Sequence, residues 1–347
     1  MIKVLIIKLS SIGDVVHTLP ALAALRRGFE RKGQKARIDW LVEEAASGIL
    51  RGHPMLDNVI VVKKRGWTKD IKKNIKTARS LARERYDMVL DFQGLAKSAV
   101  WVLASRGKRR IGFSNARELS GLFLNEKLPP CDHERHAVDR YMYLARHAAG
   151  GLAEEPVFHL AASGDALAAV KGKLKALGVP EDASYFIVCP LARWTTKLWS
   201  DASFVQLTSR AIGSTGMYAV LVGGAFDRPR LERMRHGIGD KAVNMAGATG
   251  LAELAALSKG ARFAVTVDSG PMHVAAAAGT RVIALFGPTS PARTGPYGEG
   301  HIIIRKGIAC SPCFSRTCAD PVCMSEITVD DVMKAIETIE DQGGKQS

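Results

Sequence analysis

Short apolar runs alternate with amphipathic stretches along the first half of this chain. The runs with the continuous apolar character of buried strands are residues 3–8, 38–42, 59–63 and 88–92. The stretches with apolar positions at helical spacing are residues 15–27, 68–85 and 96–105. This alternation predicts βαβ units with a mostly parallel sheet and right-handed crossovers.

The same alternation restarts in the second half. The predicted strands are residues 185–189, 218–222, 263–267 and 282–286. The predicted helices are residues 165–177, 201–212, 228–236, 251–258, 272–278 and 329–339. We therefore predict an α/β protein with two doubly wound domains and a cleft between them. The expected division is a first domain at 1–150, a linker at 151–184, a second domain at 185–325 and a C-terminal helix at 326–347.

Composition narrows the class of protein. The chain has 347 residues, which favours two domains, and its 47% hydrophobic and 24% charged residues exclude a disordered or fibrous protein. No stretch approaches 18 consecutive apolar residues, and the N-terminal segment lacks the apolar core and cleavage site of a signal peptide. We therefore expect a cytoplasmic protein.

The net charge of +15 is concentrated in one half. Residues 1–150 carry 29 Lys and Arg against 15 Asp and Glu, whereas the rest of the chain carries 20 against 19. Such sorting indicates a polyanionic partner, which could be nucleic acid, an anionic membrane surface or a phosphorylated substrate. The sequence has no helix-turn-helix, RNP strand or zinc finger, and its 6% of aromatic residues is low for base stacking, so nucleic acid is disfavoured.

The loop after the first predicted strand is the first candidate for chemistry. Ligands of doubly wound sheets bind beyond the carboxyl ends of strands, and this loop contains Ser10, Ser11, Gly13 and Asp14. A helix N-terminus favours an ionised carboxylate, so Asp14 could act as a general base. The alternative is that Asp14 only caps the helix. The G-x-G-x-x-G dinucleotide motif is absent.

The loops of the second half suit an anionic ligand. Asp268, Ser269, Gly270 and His273 follow a predicted strand and open a helix, whose free N–H groups could bind a diphosphate. Lys197, which follows another strand, could neutralise a leaving diphosphate. Two glycines, Gly223 and Gly224, would let the backbone approach a ligand after a third strand. The structural alternatives are a turn-stabilising Asp268, a packed His273 and a solvated Lys197.

Four cysteines are clustered near the C-terminus, at Cys310, Cys313, Cys318 and Cys323. The first two have the spacing of a zinc knuckle or an iron–sulfur ligand pair, but the later spacings match no standard metal motif. A cytoplasmic location also disfavours disulfides. We therefore favour free thiols in a loop and expect no metal.

Several stretches together resemble glycosyltransferase family 9, the ADP-heptose:lipopolysaccharide heptosyltransferases. In the first half the similar stretches are residues 8–22 (K-x-S-S-x-G-D-V-x-H-T-L-P-A-L), 39–44 (D-W-L-V-E-E) and 91–99 (D-x-Q-G-L-x-K-S-A). In the second half they are residues 197–199 (K-x-W), 267–277 (V-D-S-G-x-x-H-x-x-A-A) and 287–291 (G-P-T-x-P). The first-half stretches are more similar to heptosyltransferase I than to heptosyltransferase II.

The resemblance implies the GT-B fold, with two Rossmann-like domains facing a central cleft. The N-terminal domain would bind the acceptor and the C-terminal domain the nucleotide-sugar. The implied reaction is inverting transfer of L-glycero-D-manno-heptose from ADP-heptose, a co-substrate, to the Kdo of lipid A in the lipopolysaccharide inner core. No cofactor is implied. The alternatives are heptosyltransferase II, another family 9 enzyme that acts on a heptosylated core, and a non-catalytic nucleotide-binding protein.

The resemblance also assigns roles to residues. Asp14 would be the general base, and Lys197 would meet the leaving diphosphate. The expected donor-binding residues are Thr196, Gly223, Gly224, Thr249, Leu251, Asp268, Ser269, Gly270 and His273. The expected acceptor-binding residues are Ser10, Ser11, Gly13, Lys64, Arg65, Arg117, His136 and Arg140. The implied partners are ADP-heptose, Kdo2-lipid A and the anionic surface of the inner membrane, at whose cytoplasmic face the protein would be peripheral.

Overall fold

The computed structural model describes residues 1–63, 70–151, 155–160 and 164–344. The chain divides into two compact units, Met1–Ala161 and Ala162–Ser347. Each unit is built on one sheet of six parallel strands with helices packed against it. The predicted α/β fold with two doubly wound domains is confirmed.

The first unit has the strand order β3-β2-β1-β4-β5-β6. Its strands are β1 (Ile2–Ile7), β2 (Ala36–Glu43), β3 (Asn58–Val62), β4 (Met88–Asp91), β5 (Arg109–Phe113) and β6 (Glu126–Leu128). Its helices are α1 (Ile12–Arg31), α2 (Glu44–Ser47), α3 (Ile71–Glu84), α4 (Ala96–Ala104) and α5 (Ala137–Ala149). The order of the strands reverses between β1 and β4, which lie next to each other at the centre.

The second unit has the strand order β12-β11-β10-β7-β8-β9, which reverses between β7 and β10. Its strands are β7 (Tyr185–Cys189), β8 (Tyr218–Leu221), β9 (Ala242–Asn244), β10 (Phe263–Val267), β11 (Arg281–Phe286) and β12 (Ile302–Arg305). Its longer helices are α6 (Gly164–Ala176), α7 (Asp201–Thr215), α8 (Arg228–Ile238), α9 (Leu251–Gly260), α10 (Gly270–Ala277) and α13 (Val329–Gly344). Two one-turn helices, α11 (Pro291–Thr294) and α12 (Val322–Ser325), lie before α13.

Burial of the central strands explains why they form. The side chains of β1 from Val4 to Ile7 and those of β10 from Phe263 to Val267 are almost fully buried, as expected for strands covered on both faces. Each helix contributes one apolar stripe to the core beside its sheet. Val332, Ile336 and Ile339 of α13 belong to the core of the second unit. Most of the stability of these elements therefore comes from tertiary burial.

All predicted strands and helices are present in the described residues, with ends displaced by a few residues. The sequence analysis did not predict β5, β6, β9, β12 and α5. Helix α6 lies within the range expected to connect the domains, and it belongs to the second unit. There Lys173 donates a hydrogen bond of 2.7 Å to the Ala248 carbonyl, which ties α6 to the segment before α9.

Candidate active site

Both sheets place their candidate residues at the point where strand order reverses. In the first unit Asp14 lies at the start of α1, which follows β1, and Gln93 lies in the loop after the neighbouring β4. In the second unit Lys197 follows β7, and Asp268 follows the neighbouring β10. Such switch points are the usual ligand sites of open α/β sheets, because the loops on either side diverge there.

Asp14 lies in the first turn of α1, three positions after the N-cap Ser11. One carboxylate oxygen, Oδ2, accepts hydrogen bonds from the Ser11 backbone N–H at 2.9 Å and the Ser11 hydroxyl at 2.8 Å. The other oxygen, Oδ1, accepts a hydrogen bond of 3.3 Å from the Tyr141 hydroxyl. The Asp14 side chain is 35% exposed, so solvent can reach it.

A buried lysine lies behind this carboxylate. The Lys8 ammonium is 3.5 Å from Asp14 Oδ1 and donates hydrogen bonds to the Tyr141 hydroxyl at 2.6 Å and to the Phe92 carbonyl at 3.0 Å. Only 3% of the Lys8 side chain is exposed. Tyr141 comes from α5, which packs along α1. The packing of these two helices therefore fixes the distance between the ammonium, the phenol and the carboxylate.

Charge and hydrogen bonding keep Asp14 ionised. Burial by itself raises the pKa of the Asp14 carboxyl, but the Lys8 ammonium and the hydrogen bonds from Ser11 outweigh it and lower that pKa well below its usual range. Burial likewise opposes the charge of Lys8, and the attraction of Asp14 and Tyr141 more than reverses this, so the pKa of Lys8 is raised. The pair is ionic at neutral pH.

A second network holds the loop that precedes α1. The Gln93 side-chain oxygen accepts hydrogen bonds from the backbone N–H groups of Leu9 and Ser10, each at 3.1 Å. The Lys97 ammonium donates to the Ser10 hydroxyl and, at 2.8 Å, to the carboxylate of Glu43 at the end of β2. The loops after β1, β2 and β4 are thus joined into one rigid edge.

Three further expected acceptor residues are Arg117, His136 and Arg140. Arg117 is exposed, and its backbone N–H donates to the Gly94 carbonyl at 3.0 Å, so it borders the loop after β4. His136 caps α5, and its ring lies 5.1 Å from that of His17 on α1. Arg140 lies one residue from Tyr141 and 6.0 Å from its ring. The structure thus brings these three to the neighbourhood of Asp14.

Two expected acceptor residues, Lys64 and Arg65, lie outside the described residues. Gly13 is buried at the start of α1, between Ser11 and Asp14, and it supplies backbone rather than a side chain. The acceptor-binding roles of these three residues stay predictions.

In the second unit an ion pair occupies the switch point. The Lys197 ammonium donates a hydrogen bond of 2.6 Å to Asp268 Oδ2, which also accepts one of 2.7 Å from the Thr289 hydroxyl. Oδ1 of the same carboxylate lies 4.0 Å from His273 Nε2. Asp268 is 6% and Lys197 16% exposed at the side chain, so the carboxylate orients an ammonium that still reaches solvent. The Lys197 ammonium also lies 4.6 Å from the centre of the Trp194 ring.

The start of α10 supplies backbone donors beside this pair. Ser269 is the N-cap, and Gly270 begins the helix with Pro271 in its first turn. The first N–H groups of a helix have no partner within it, so they point toward whatever lies beyond the end. The Ser269 hydroxyl oxygen is shielded from solvent and has no hydrogen-bond partner within the described part of the chain. This end of α10 is therefore suited to an anion.

Further expected donor residues follow the neighbouring strands. The Gly223 carbonyl after β8 accepts a hydrogen bond of 3.0 Å from the Gly247 N–H, which joins this loop to the segment that contains Thr249. Gly224 donates its N–H to Asp227 at 2.7 Å. Leu251 begins α9 directly after its N-cap Gly250. Thr196 is buried, and its hydroxyl donates to the Ser315 carbonyl at 2.9 Å, so it anchors a neighbouring loop.

The four clustered cysteines are free thiols in the structure, three of them exposed and Cys323 buried. Among the described residues, no group of three or more His, Cys, Asp or Glu side chains is arranged to hold a metal ion. The loop they belong to is bonded to the β11 end of the sheet, since Phe314 N–H donates to the Pro288 carbonyl at 2.8 Å.

The sequence analysis assigned no role to Lys8, Gln93, Lys97, Tyr141 and Thr289, which contact the expected site residues directly. Four of these, Lys8, Gln93, Lys97 and Thr289, stand inside the stretches that carry the resemblance. Tyr141 lies on α5 and had no local signal of function.

Comparisons with known proteins agree with this architecture. Residues 74–323 match the protein family described as glycosyltransferase family 9 (heptosyltransferase). Lipopolysaccharide heptosyltransferase 1 of Pseudomonas aeruginosa is 32% identical over 325 residues, which cover 91% of this chain and 87% of that protein. The protein of the same name from Salmonella typhimurium is 34% identical over 320 residues, which cover 89% of this chain and 94% of that protein.

Solved structures show the same fold. E. coli heptosyltransferase WaaC with ADP has a TM-score of 0.77 and 28% identity, covering 97% of this chain and 100% of that one. E. coli ADP-heptose lps heptosyltransferase II has a TM-score of 0.79 and 23% identity, covering 99% of this chain and 100% of that one. No helix among the described residues is long and apolar enough to cross a membrane.

Proposed function

Since the chain belongs to glycosyltransferase family 9, we propose that it transfers L-glycero-D-manno-heptose from ADP-heptose to the Kdo of lipid A, with inversion at the anomeric carbon. The similarity of nearly the whole chain to lipopolysaccharide heptosyltransferase 1 from two organisms supports a type I enzyme over type II. This reaction would add heptose to the inner core of lipopolysaccharide.

The observation that carries the proposal is the Asp14 carboxylate. It is ionised, half-buried and reachable from solvent, and it is held by Ser11, Tyr141 and Lys8 at the switch point of the first sheet. A single-step inversion needs one base for the acceptor hydroxyl, and Asp14 meets that need. Its lowered pKa makes it a weak base, so it accepts the proton as the new C–O bond forms and the hydroxyl becomes acidic.

In the second unit we assign Lys197, Ser269, Gly270 and His273 to the diphosphate and sugar of the donor. The Lys197 ammonium and the N–H groups at the start of α10 would stabilise the negative charge that develops on the leaving diphosphate. For Asp268, which the sequence analysis assigned to the donor, we propose an indirect role, because its carboxylate would repel phosphate and it already accepts hydrogen bonds from Lys197 and Thr289. Asp268 is thus best explained as the residue that orients Lys197.

The transfer of heptose needs no reactant besides the donor and the acceptor. The acceptor oxygen attacks the anomeric carbon as the bond from that carbon to the diphosphate oxygen breaks. The hydroxyl proton passes to Asp14, and the electron pair leaves with ADP. Thr249 and Leu251 would flank the nucleoside, and Gly223 and Gly224 would let backbone approach the donor.

On the acceptor side we propose Kdo2-lipid A as the substrate. Its phosphates and carboxylates would be met by Arg117 and Arg140 near the Asp14 edge, with His136 and Ser10 beside them. Lys64 and Arg65 are proposed as further acceptor contacts from the sequence alone. An acceptor anchored in lipid also places the enzyme at the cytoplasmic face of the inner membrane, as a peripheral protein.

The decisive experiment compares Asp14→Asn with wild type in a transfer assay with ADP-heptose and Kdo2-lipid A. We expect kcat to fall on the order of 10²–10⁴-fold, the usual contribution of a positioned base. Affinity for ADP-heptose, measured by calorimetry, should be unchanged because Asp14 lies in the first unit. Lys197→Met, in contrast, should weaken ADP-heptose binding and lower kcat on the order of 10²–10³-fold.

A matched control is Asp165→Asn, which removes a carboxylate from the first turn of α6 and should leave all parameters unchanged. Transfer by Asp14→Asn at the wild-type rate would refute the assignment of the base. Transfer by the wild type to monoheptosylated Kdo2-lipid A in preference to Kdo2-lipid A would instead identify a type II enzyme.

A further inference from the structure

We propose that one outer face of the first unit docks onto the surface of an anionic lipid bilayer. This docking face consists of the exposed sides of α3, α4 and the 3₁₀ turn Ser120–Phe123, together with Leu119, which directly precedes the turn. Its apolar members are Ile71, Ile75, Val100, Leu103, Leu119 and Leu122. The inference rests on the proposed function only in that a lipid-anchored acceptor gives docking its purpose.

The elements of the docking face belong to one layer of the fold. Leu81 of α3 and Trp101 of α4 pack into the same core cluster as Leu5 and Val89 of the sheet. Leu124, which directly follows the 3₁₀ turn, joins that cluster. Helix α4 contacts both α3 and the turn. Because their inner sides cover one side of the sheet, their outer sides form one continuous surface.

This surface is unusually apolar for an exposed one. Leu119 is 75%, Leu122 is 70% and Leu103 is 53% exposed. Together with Phe123, the six apolar members make up seven of the fourteen large apolar side chains exposed in the described part of the chain. Val100 and Leu103 are three positions apart on α4, and Ile71 and Ile75 four apart on α3, so each pair shares a helix side. Grouped exposure of this kind marks an interaction site, whereas single exposed apolar residues do not.

The charges on the same face select the partner. The exposed cations of α3 are Lys72, Lys73, Lys76, Arg79 and Arg83. The one acidic residue of this helix, Glu84, is at its end and is paired with Lys3 and Arg37. Aliphatic side chains beside a row of cations fit the interface of an anionic bilayer, where the cations meet headgroup phosphates and the apolar side chains enter the acyl boundary. A nucleic acid would gain nothing from the leucines.

The docking face reaches the edge that holds Asp14. Helix α3 follows β3, so its N-terminal residues Ile71 and Ile75 lie toward the carboxyl ends of the strands. Leu119 is anchored to the same edge, because the neighbouring Glu118 carboxylate accepts a hydrogen bond of 3.0 Å from the Ala96 N–H in the loop after β4. A protein docked in this way would present its acceptor edge to the lipid surface.

The test is cosedimentation of the full-length protein with vesicles, without donor or acceptor. We expect wild type to bind vesicles of phosphatidylglycerol and phosphatidylethanolamine and to bind phosphatidylcholine vesicles much more weakly. Lys72→Ala, Lys73→Ala and Lys76→Ala together should lower the partition coefficient about 100-fold, since each cation near such a surface contributes about fivefold. Ile71→Ser with Ile75→Ser should lower it about tenfold by removing the apolar insertion.

The matched control is placed on another exposed helix. Leu167→Ser with Leu177→Ser removes two side chains of similar exposure at α6 and its end, and Lys171→Ala with Lys175→Ala removes two exposed cations there. These variants should bind the anionic vesicles like wild type. Circular dichroism and thermal unfolding should show that every variant is folded, because all the changed residues are exposed.

Two outcomes would overturn the proposal. In one, wild type fails to bind the anionic vesicles, or the docking-face variants bind as well as wild type. In the other, wild type is a dimer that Ile71→Ser with Ile75→Ser converts to a monomer, which would show that a second copy covers the face. The proposed function is tested separately with a deacylated, water-soluble Kdo2 acceptor. If wild type transfers no heptose to this acceptor but still binds anionic vesicles, the proposed reaction is refuted and the docking face is still supported.

Discussion

The charge of Asp14 depends on groups from two directions. Ser11 donates two hydrogen bonds to one carboxylate oxygen, and the buried Lys8 ammonium lies 3.5 Å from the other. Tyr141 links the two charges, because it accepts a hydrogen bond from Lys8 and donates one to Asp14. The carboxylate thus has fixed partners before any substrate binds, which is what pre-organised catalysis requires.

Ser11→Ala should move the acid limb of kcat/KM to higher pH. The pKa of Asp14 is lowered in the folded protein, so its carboxylate remains ionised below the usual pKa of an aspartate. The carboxylate is protonated only at still lower pH. Removing the Ser11 hydroxyl takes away one of the groups that lower this pKa, and the pKa rises. The measurement is the pH dependence of heptose transfer at low substrate. Ser10→Ala is the control, because the Ser10 hydroxyl accepts a hydrogen bond from Lys97 and has none with Asp14. An equal pH shift in both variants would contradict the role of the Ser11 hydroxyl in lowering the pKa of Asp14.

The sequence could locate Asp14 but not its environment. The position of Asp14 after a strand and at the start of a helix is a local pattern, which periodicity makes visible. Lys8 stands out only as a polar residue at the end of an apolar run. Its partner Tyr141 is 133 positions away. A buried ion pair is a property of how α1 and α5 pack, and no local pattern encodes that distance.

Among the elements, the strands that sequence analysis did not predict are short or polar. Three of them, β6, β9 and β12, lie at the edges of the sheets, and β6 and β9 have three residues each. An edge strand is paired on one side only and needs no long apolar run, so β6 and β9 lack the signal that identified β1 and β10. Strand β12 has an apolar run of only three isoleucines. Strand β5 begins with two arginines. Only tertiary pairing defines these strands.

The terminal helix α13 offers a test of stability at the scale of one element. The Asp331 carboxylate accepts hydrogen bonds of 2.8 Å from both the N–H and the hydroxyl of Thr328 and pairs with Lys306. The ion pair with Lys306 and the hydrogen bonds from Thr328 lower the pKa of Asp331 to about 2. Asp331→Ala should therefore destabilise the protein by about 1 kcal/mol at pH 7, the usual loss for a helix cap.

The pH dependence of that loss distinguishes the cap from simple packing. Because the folded pKa is below the unfolded one, the contribution of Asp331 is complete above pH about 4 and disappears as pH falls toward 2. Denaturant titrations of wild type and Asp331→Ala should differ at pH 7 and converge near pH 2. Asp330→Ala, whose carboxylate is 71% exposed, serves as the neighbouring control. A difference that is equal at both pH values would rule out the ionised cap.

At the scale of the whole molecule, the two units repeat one design with different charge. Each sheet places its candidate residues where strand order reverses, Asp14 and Gln93 in the first unit and Lys197 and Asp268 in the second. Residues 1–150 carry almost all of the net charge of +15, and the rest of the chain is nearly neutral. The nearly neutral half would bind a diphosphate with a few oriented polar groups. The basic half would meet a larger anionic surface with many.

This division predicts unequal salt dependence for the two substrates. Exposed cations are screened when the Debye length falls from about 10 Å at 0.1 M salt to about 3 Å at 1 M, whereas buried pairs are screened much less. The cations of α3 are exposed, but Lys197 is 16% exposed and held by Asp268. Raising the salt should therefore increase KM for lipid-embedded Kdo2-lipid A on the order of tenfold, since screening about two surface cations is enough. KM for ADP-heptose should change much less.

Steady-state kinetics at several chloride concentrations, with sucrose as the uncharged control, would measure both constants in one series. The deacylated acceptor separates the two sources of attraction. If its KM depends on salt as steeply as that of the lipid-embedded acceptor, the cations act on the sugar phosphates and carboxylates alone. If only the lipid-embedded acceptor responds, the cations act on the bilayer. Equal salt dependence for ADP-heptose and for both acceptors would show that the sorting of charge between the halves has no part in substrate recognition.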